Sequence, residues 1–398
     1  MKGLSSKVLK VSPSATLGIT AKAKQLKSQG IKVIAFAAGE PDFDTPDFIK
    51  QKAKESLDKG LTKYTPTAGI PELKQAICEK LKKENNLEYT PEEVLVSCGA
   101  KHSIFNAVMA LVDDGDEVLL PKPYWVSYPE MIKFAGGKIV EIPTDEKTNF
   151  KIKAEQLKQY ITSKTKLLIL NYPSNPTGMM YTKKELEEIA KVLVESQIYC
   201  ISDEIYEKLV YDGVEFVSIA SLGPEIKKLT ITVNGLSKSC SMTGWRVGYA
   251  CGPKEIIQAM SNLQDHSTSN ITTFVQYASV DAIKFGEDSI RKMVQEFKIR
   301  RDFIVEEINK IPGLSTIKPQ GAFYVWVNIK KLKGKNYNNT TITDSMKLTE
   351  LLLTEAKVAV IPGCVFGDDD YIRLSYATSM EDIKEGLNNI KNFVSKLT

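Results

Sequence analysis

Polar residues follow three successive strand-like runs in the middle of the chain, at the point where each run ends. The first run leads into NYPSNPTG (171–178), the second closes on SDEIY (202–206), and the third leads into Lys238, with Arg246 a few residues later. Taken alone, the first segment is equally well a double-proline turn, and a single lysine is usually a surface residue. Because ligands of open α/β sheets bind outside the carboxyl ends of the strands, their joint placement predicts one site.

A second feature is the junction SCGAK (97–101), where a strand leads directly into the start of a helix. Free backbone N–H groups and the helix dipole make such a junction an anion site. The junction lacks both the G-x-x-x-x-G-K-[ST] pattern of phosphate-loop proteins and the G-x-G-x-x-G dinucleotide pattern. Together with Ser237 and Arg246, it supplies what a single bound phosphate monoester needs.

The composition excludes several other kinds of site. The chain has 398 residues but only two histidines, His102 and His266. A metal site built from histidines is therefore nearly excluded, and a histidine-centred triad has only these two candidates. The 53 Lys and Arg residues against 49 Asp and Glu give a net charge of +4. This excess is too small to indicate a nucleic acid or a membrane as a partner.

The cysteines and the N-terminal residues give information about the cellular compartment of the protein. The six cysteines form no C-x-x-C pair and do not resemble a disulfide framework. Lysines interrupt the first ten residues, so no signal peptide is visible, and no apolar run reaches the roughly 18 residues of a membrane span. We expect a cytoplasmic protein.

The elements that must position the site alternate between strand and helix, which is typical of an α/β domain with a mostly parallel sheet. The predicted strands are 94–98, 117–121, 138–142, 166–171, 198–203, 229–233 and 246–251. Helices are predicted over 101–112 and 183–196, the latter opened by a capping box of Thr182 and Glu185.

The last third of the chain changes character and predicts a smaller α+β domain. A helical pattern over 285–310 precedes a strand-like run at 321–328, and a closing helix begins at 380. We predict that residues 1–48 belong to this small domain, that 49–284 form the large domain, and that 285–398 complete the small one. The lysine-rich stretch 330–345 is predicted to be a solvated loop rather than a basic binding patch.

With these motifs the chain resembles the class I, fold type I, pyridoxal-phosphate aminotransferases over essentially its whole length. The nearest subgroup is that of the bacterial-type aspartate aminotransferases. The motifs that carry the resemblance are AAGEPDFDTP (37–46), YTPTAG (64–69), NYPSNPTG (171–178), SDEIY (202–206) and SKSCSMTGWRVGYACGP (237–253). The resemblance implies a large domain with a seven-stranded, mostly parallel sheet between helices, and a smaller α+β domain.

The resemblance also implies roles around the cofactor, pyridoxal 5'-phosphate. Lys238 would be the Schiff-base lysine and proton carrier, which explains acid–base work in a chain with two histidines. Asp203 would keep the pyridine nitrogen protonated, so that the ring can accept electrons. Tyr206 and Asn175 would hydrogen-bond the ring hydroxyl.

The phosphate group would be held at the SCGAK junction. Arg246 and Ser237 would bind it together with the backbone N–H groups of Ala100 and Lys101. Tyr64 resembles the tyrosine that reaches the phosphate of a neighbouring subunit, which implies a homodimer with shared active sites.

Substrate contacts are implied at both ends of the site. Arg373, in YIRLSYA, would bind the α-carboxylate in a bidentate salt bridge, with the backbone of Gly39 close by. Asn175 and Trp125 would also face the substrate, with Trp125 stacked on the cofactor ring; the alternative for Trp125 is a core or interface residue. Because Gly39 and Arg373 flank the large domain in sequence, we expect substrate to draw the small domain closed.

A dicarboxylic substrate needs a second cation for its distal carboxylate. Lys101 stands where the bacterial-type subgroup places that lysine, and the hydroxyl of Thr16 is a candidate helper. The alternative is that Lys101 only caps the phosphate end or points to solvent. The predicted function is therefore amino transfer between aspartate, or a related amino acid, and 2-oxoglutarate.

Two other functions on the same scaffold stay open. One is a broader aromatic or prephenate aminotransferase, although family members that use prephenate tend to carry a lysine where this chain has Ser12. The other is a β-eliminating lyase, because the same cofactor-binding residues serve both chemistries.

Overall fold

The structure, a computed structural model, describes residues 3–13 and 15–398. Within these ranges the α-helices are α1 (Ser6–Leu9), α2 (Ala15–Ser28), α3 (Asp47–Asp58), α4 (Pro71–Asn85), α5 (Ala100–Leu111), α6 (Ser127–Ala135), α7 (Ala154–Tyr160), α8 (Lys183–Ser196), α9 (Pro224–Leu229), α10 (Lys254–Asp265), α11 (Thr273–Phe285), α12 (Glu287–Asn309), α13 (Ser345–Thr354) and α14 (Met380–Val394). The strands are β1 (Ile34–Ala35), β2 (Val94–Cys98), β3 (Glu117–Pro121), β4 (Lys138–Ile142), β5 (Thr165–Asn171), β6 (Tyr199–Asp203), β7 (Thr230–Gly235), β8 (Val247–Cys251), β9 (Ser315–Thr316), β10 (Tyr324–Asn328), β11 (Asn336–Tyr337), β12 (Thr340–Thr341), β13 (Val358–Ala359), β14 (Ile361–Pro362) and β15 (Tyr371–Ser375).

Seven strands form the main sheet, in the order β2-β8-β7-β6-β5-β3-β4. Strand β8 is antiparallel to both of its neighbours, and the pairs among β3 to β7 are parallel. All seven predicted strands occur, three of them with the predicted bounds and the rest within two residues. The prediction of a seven-stranded, mostly parallel sheet is confirmed.

Helices cover both faces of this sheet because successive side chains of a strand point to opposite sides. Leu168 and Leu170 of β5 pack in one apolar cluster with helix α8. Ile169, between them, lies in another cluster with helix α5. The capping box that opens α8 is present, since the Glu185 N–H donates to Thr182 Oγ1 at 3.3 Å.

A smaller antiparallel sheet, in the order β14-β15-β10-β9, lies in the last third of the chain. Its core cluster includes Phe297 of α12 and Phe323 before β10, and the N-terminal residues Ile34 and Phe36 join it. Strand β1 also pairs with β13. The N-terminal segment therefore packs with the C-terminal part of the chain, and the division into 1–48, 49–284 and 285–398 stays a prediction.

The stretch 330–345 departs from the prediction of a solvated loop. It contains the hairpin of β11 and β12, and Asn336 exchanges two main-chain hydrogen bonds with Thr398. The ring of Tyr337 stacks on Phe393 of α14 with centroids 4.8 Å apart, and Ile342 is fully buried. The loop prediction therefore holds only in part: Lys330, Lys331 and Lys335 are exposed, whereas Tyr337 and Ile342 pack against a core that includes residues of the closing helix.

No helix in the described ranges combines the length and the apolar character that crossing a bilayer requires.

Candidate active site

A cavity of about 590 Å³ lies where β5, β6 and β7 end. Its volume is within the usual range of small-molecule sites. Eleven of the twelve predicted site residues line it: Gly39, Ala100, Lys101, Trp125, Asn175, Asp203, Tyr206, Ser237, Lys238, Arg246 and Arg373. The exception is Tyr64, which does not line the cavity and is 92% exposed. The side chain of Thr16 lies outside the described part of the chain.

Asp203 is the last residue of β6 and is buried. The Tyr128 hydroxyl donates to its Oδ2 atom at 2.6 Å, and the Ile205 N–H donates to Oδ1 at 3.3 Å. Burial raises the pKa of Asp203 to about 6, although both hydrogen bonds and the nearby Lys238 act to lower it. A buried carboxylate of this kind is stabilised by a cationic ligand group, which is what a protonated ring nitrogen provides.

Lys238 follows β7 and faces the cavity. Its Nζ atom donates to the main-chain oxygen of Gly39 at 2.5 Å. Loss of water around the amine lowers its pKa to about 8, and Arg373 and Arg246 act in the same direction, whereas Glu40 opposes them. An amine with this pKa is partly neutral near pH 7.5, so it can act both as a nucleophile and as a proton carrier.

Two glycines shape the predicted phosphate site between the start of α5 and Arg246, which we call the anion corner. Gly99 has a φ of +81°, and a Cβ atom there would lie 2.4 Å from Nη2 of Arg246. A Cβ atom at Gly248 would lie 2.1 Å from the backbone nitrogen of Ala100. Only glycine allows the helix start and the guanidinium to come so close. The first N–H groups of α5, those of Ala100 and Lys101, have no backbone acceptor within the described residues.

Arg246 itself is held in an unusual backbone conformation, with a φ of +60°. Its Nη1 and Nη2 atoms donate to the main-chain oxygens of Thr243 at 2.9 Å and Cys98 at 3.1 Å. The left-handed conformation costs free energy for a residue other than glycine, and such strain is concentrated at functional sites. A phosphate fits this corner, because the guanidinium, the helix start and the buried Ser237 surround one cradle.

Lys101 and Trp125 lie together in the cavity wall. The Lys101 Nζ atom is 4.9 Å from the centroid of the Trp125 ring, within the distance of a cation–π contact. Burial, and to a smaller extent Arg246, lowers the pKa of Lys101. The Trp125 ring also packs edge-to-face on Tyr128 at 5.3 Å. Trp125 therefore lines the cavity while also packing against a core cluster, and Lys101 lines the same space.

Arg373 comes from β15 of the smaller sheet and is 3% exposed. It donates to Asn175 Oδ1 at 2.9 Å and to the main-chain oxygen of Ala37 at 3.0 Å. Its Nε atom is buried without a hydrogen-bond partner among the described residues. Because an uncompensated buried charge is costly, this guanidinium suits an anionic ligand such as a carboxylate.

Sequence reasoning missed two tyrosines that shape the site, Tyr128 and Tyr324. Tyr128 is three residues after Trp125 at the start of α6, and that helical spacing was an available signal. Tyr324 belongs to β10, and no local pattern distinguishes it from a core tyrosine. The role of Asn171 was also missed: its Oδ1 accepts from the Asn175 N–H at 2.8 Å, and its Nδ2 donates to the Asp203 main-chain oxygen at 3.0 Å.

The segment that carries Tyr64 is held by two buried glutamines. Gln276 donates to Thr65 Oγ1 at 2.9 Å and accepts from the Ile70 N–H at 2.8 Å. Gln264 donates to the main-chain oxygen of Thr67 at 3.1 Å. Tyr64 is thus an exposed side chain on a well-anchored segment.

The open sheet and the cavity at its strand ends define an α/β enzyme in which a buried carboxylate, an amine and an anion cradle share one space. The model of the aminotransferase class I and II family matches residues 31–390, and the chain belongs to this family.

The chain is similar to other proteins over nearly its whole length. It is 51% identical to an aspartate aminotransferase of Bacillus sp. (strain YM-2), over 98% of this chain and 99% of that protein. It is 49% identical to a probable aspartate/prephenate aminotransferase of Aquifex aeolicus, over the full length of both. Among solved structures, aspartate aminotransferase from Thermus thermophilus with maleate has a TM-score of 0.92 at 43% identity, covering 99% of this chain and 100% of that one.

Proposed function

We propose that this aminotransferase uses pyridoxal 5'-phosphate to move an amino group between aspartate and 2-oxoglutarate. The observation that carries the proposal is that two cations, Lys101 and Arg373, share one cavity with the amine of Lys238. A dicarboxylic substrate can therefore meet a cation at each of its carboxylates while its amino group faces Lys238. Relatives named aspartate aminotransferase agree with this substrate class.

The residues at the strand ends fit the cofactor. Arg246, Ser237 and the first N–H groups of α5 would hold its phosphate. Asp203 would face its ring nitrogen, and the Tyr206 hydroxyl would meet its ring hydroxyl. When bound, the cofactor supplies a carbonyl carbon that takes up amino groups and a ring that accepts electrons released at the substrate α-carbon.

The protein's own groups then do three things. Tyr128 fixes the direction of the Asp203 carboxylate, so that its charge faces the ligand without reorganisation. The Lys238 amine, with its pKa lowered to about 8, can take a proton from the α-carbon and return it to an acceptor carbon. Arg373, oriented by Asn175, holds the α-carboxylate and so fixes which bond of the α-carbon lies in line for proton transfer.

We propose a homodimer in which Tyr64 reaches the phosphate of the second subunit, because this tyrosine is exposed on an anchored segment. The cytoplasmic location stays a prediction. Among the described residues no contact favours β-elimination or prephenate over aspartate. Ser12, where prephenate-using family members tend to carry a lysine, contacts Glu130 through its main-chain N–H.

The testing experiment compares aspartate with alanine as donors in wild type and Lys101→Ala. Loss of one charge-assisted contact, about 1.5–3 kcal/mol, should lower kcat/KM for aspartate while alanine is nearly unaffected. Lys133→Ala is a control, because that lysine is outside the cavity and pairs with Glu130 on its own helix. An equal loss for both donors would assign Lys101 to the phosphate instead of to the distal carboxylate.

A further inference from the structure

Tyr324 contacts the cofactor side and the substrate side of the cavity at once. It is 1% exposed, and its hydroxyl oxygen lies 2.8 Å from that of Tyr206. The face of its ring lies 4.3 Å from the guanidinium carbon of Arg373. One side chain therefore joins the phenol assigned to the cofactor and the arginine assigned to the substrate.

The strand register explains why Tyr324 and Arg373 meet. Strands β10 and β15 are antiparallel, with Tyr324 opposite Ser375 and Trp326 opposite Arg373. Tyr324 and Arg373 are thus diagonal neighbours on one face of the sheet, a spacing that aromatic and long side chains can bridge. On the other side, a Cβ atom at Gly39 would lie 3.3 Å from the Tyr324 hydroxyl. The absence of a side chain there leaves room for this phenol.

One hydrogen bond joins the two hydroxyls, and either oxygen can be its donor. Arg373 lowers the pKa of Tyr324 whereas Glu40, facing it from the N-terminal segment, raises it. For Tyr206, Asp203 and the contact with Tyr324 raise the pKa, while Arg373 acts against them. Burial is the largest cause that raises the pKa of each phenol. Because the Tyr206 hydroxyl is assigned as the donor to the cofactor's ring hydroxyl, the Tyr324 hydroxyl is the one left to donate within the pair.

We propose that Tyr324 is a positioning residue: its hydroxyl donates to Tyr206, which directs the Tyr206 proton at the cofactor's ring hydroxyl, and its ring holds Arg373 in place for the substrate carboxylate. The inference rests on the proposed function. A donated hydrogen bond makes the receiving phenol a stronger donor in turn. The cation–π contact fixes one face of a guanidinium whose edges are left for hydrogen bonds.

Two variants separate the two halves of this role. Tyr324→Phe keeps the ring and removes the hydroxyl. We expect the pH midpoint of the bound cofactor's visible band to rise by about half a unit, since the ring oxyanion loses part of its stabilisation. The KM for aspartate should stay within about twofold of wild type.

Tyr324→Leu removes the ring as well. We expect the KM for aspartate and for alanine to rise together by about fivefold, because a cation–π contact contributes about 1 kcal/mol. The matched control is Tyr376→Phe, which deletes another buried hydroxyl of the same core, one that donates to the Ala322 main-chain oxygen at 3.1 Å. That control should leave both the pH midpoint and the KM values unchanged.

A midpoint in Tyr324→Phe equal to that of wild type overturns the proposal, whether or not the leucine variant folds. So does a shift of equal size in Tyr376→Phe. If wild type has no pH-dependent visible band, or if Lys238→Ala keeps wild-type turnover, the proposed function fails before the role of Tyr324 is reached. The two failures are therefore distinguishable.

Discussion

The two ends of the cavity are built in different ways. We call Gly99, Asp203, Lys238 and Arg246 the cofactor end, and Gly39, Tyr324 and Arg373 the carboxylate end. The cofactor end comes from β2, β6, β7 and β8, which are neighbours in the main sheet, and each residue is at most three residues from one end of a strand. The carboxylate end combines the segment after β1 with two strands of the smaller sheet.

This difference matters for how each end can move. Backbone conformation sets the cofactor end, as the positive φ values of Gly99 and Arg246 show. Packed strands hold such a geometry fixed before any ligand arrives. Tyr324 and Arg373 of the carboxylate end come from the smaller sheet, and the segment of Gly39 lies against Tyr324. The predicted closure of the small domain on substrate would take place at this end.

The largest expected effect tests the cofactor end. Asp203→Ala should lower kcat by 10²–10³-fold, as expected for the loss of one preorganised electrostatic contact. Glu204→Gln is the matched control, because Glu204 is the neighbouring carboxyl and is equally buried, yet it contacts Ser202 and Ser218 outside the cavity. Steady-state kinetics of both variants decide the point. A loss below tenfold in Asp203→Ala would remove Asp203 from the role of ring partner.

The next effect tests the carboxylate end. Arg373→Lys keeps the charge but loses the forked geometry and the stacking on Tyr324. We expect kcat/KM for aspartate and for alanine to fall together, because both donors carry an α-carboxylate. The fall should correspond to a loss of about 1.5–3 kcal/mol in transition-state binding. The absorption spectrum of the bound cofactor should be unchanged. A selective loss for aspartate would instead place Arg373 at the distal carboxylate.

A smaller effect tests whether buried hydrogen bonds outside the cavity hold the cofactor end in place. The side chain of Gln264 is buried and bonds Ser97, Asn106 and the main-chain oxygens of Thr67 and Val96. Gln264→Leu leaves these groups unpaired, so cofactor affinity should fall about tenfold, equivalent to 1.4 kcal/mol.

The control for this variant is Gln258→Leu, on the exposed side of the same helix α10, which should bind cofactor like wild type. Equilibrium titration of cofactor-free protein measures both. Equal affinity in Gln264→Leu and wild type would mean that the anion corner needs no support from this glutamine.

The smallest effect concerns stability and pH. Burial raises the pKa of Glu204 to about 8, and the hydroxyls of Ser202 and Ser218 only partly oppose this. The folded state thus retains a proton that the unfolded chain gives up near pH 4.5, so this contribution to stability is full below that pH and is lost as pH rises through 8.

Glu204→Gln cannot ionise. We therefore expect wild type to lose stability relative to this variant between pH 5 and pH 9, on the order of 4 kcal/mol. Urea unfolding of the cofactor-free proteins across this range measures the difference. Parallel pH profiles would show that Glu204 does not titrate in the folded state.

Local signals in the sequence were enough for most of the main sheet. The apolar runs of β2, β3 and β4 and the capping box before α8 depend only on neighbouring residues, and they were predicted with the observed bounds. The segment 330–345 was not, because the burial of Tyr337 and Ile342 depends on a helix that follows much later in the chain.

Of the cofactor end, the sequence by itself brought Asp203 and Lys238 together, because polar residues that follow parallel strands meet at one edge of the sheet. Motif resemblance added Arg373 and Gly39, but no local pattern could show that Tyr324 lies between the arginine and Tyr206. That contact depends on the antiparallel register of β10 and β15, which places residues about fifty positions apart on one face. Only the tertiary structure decided it, since register is set by the packing of whole strands and not by the residues that meet.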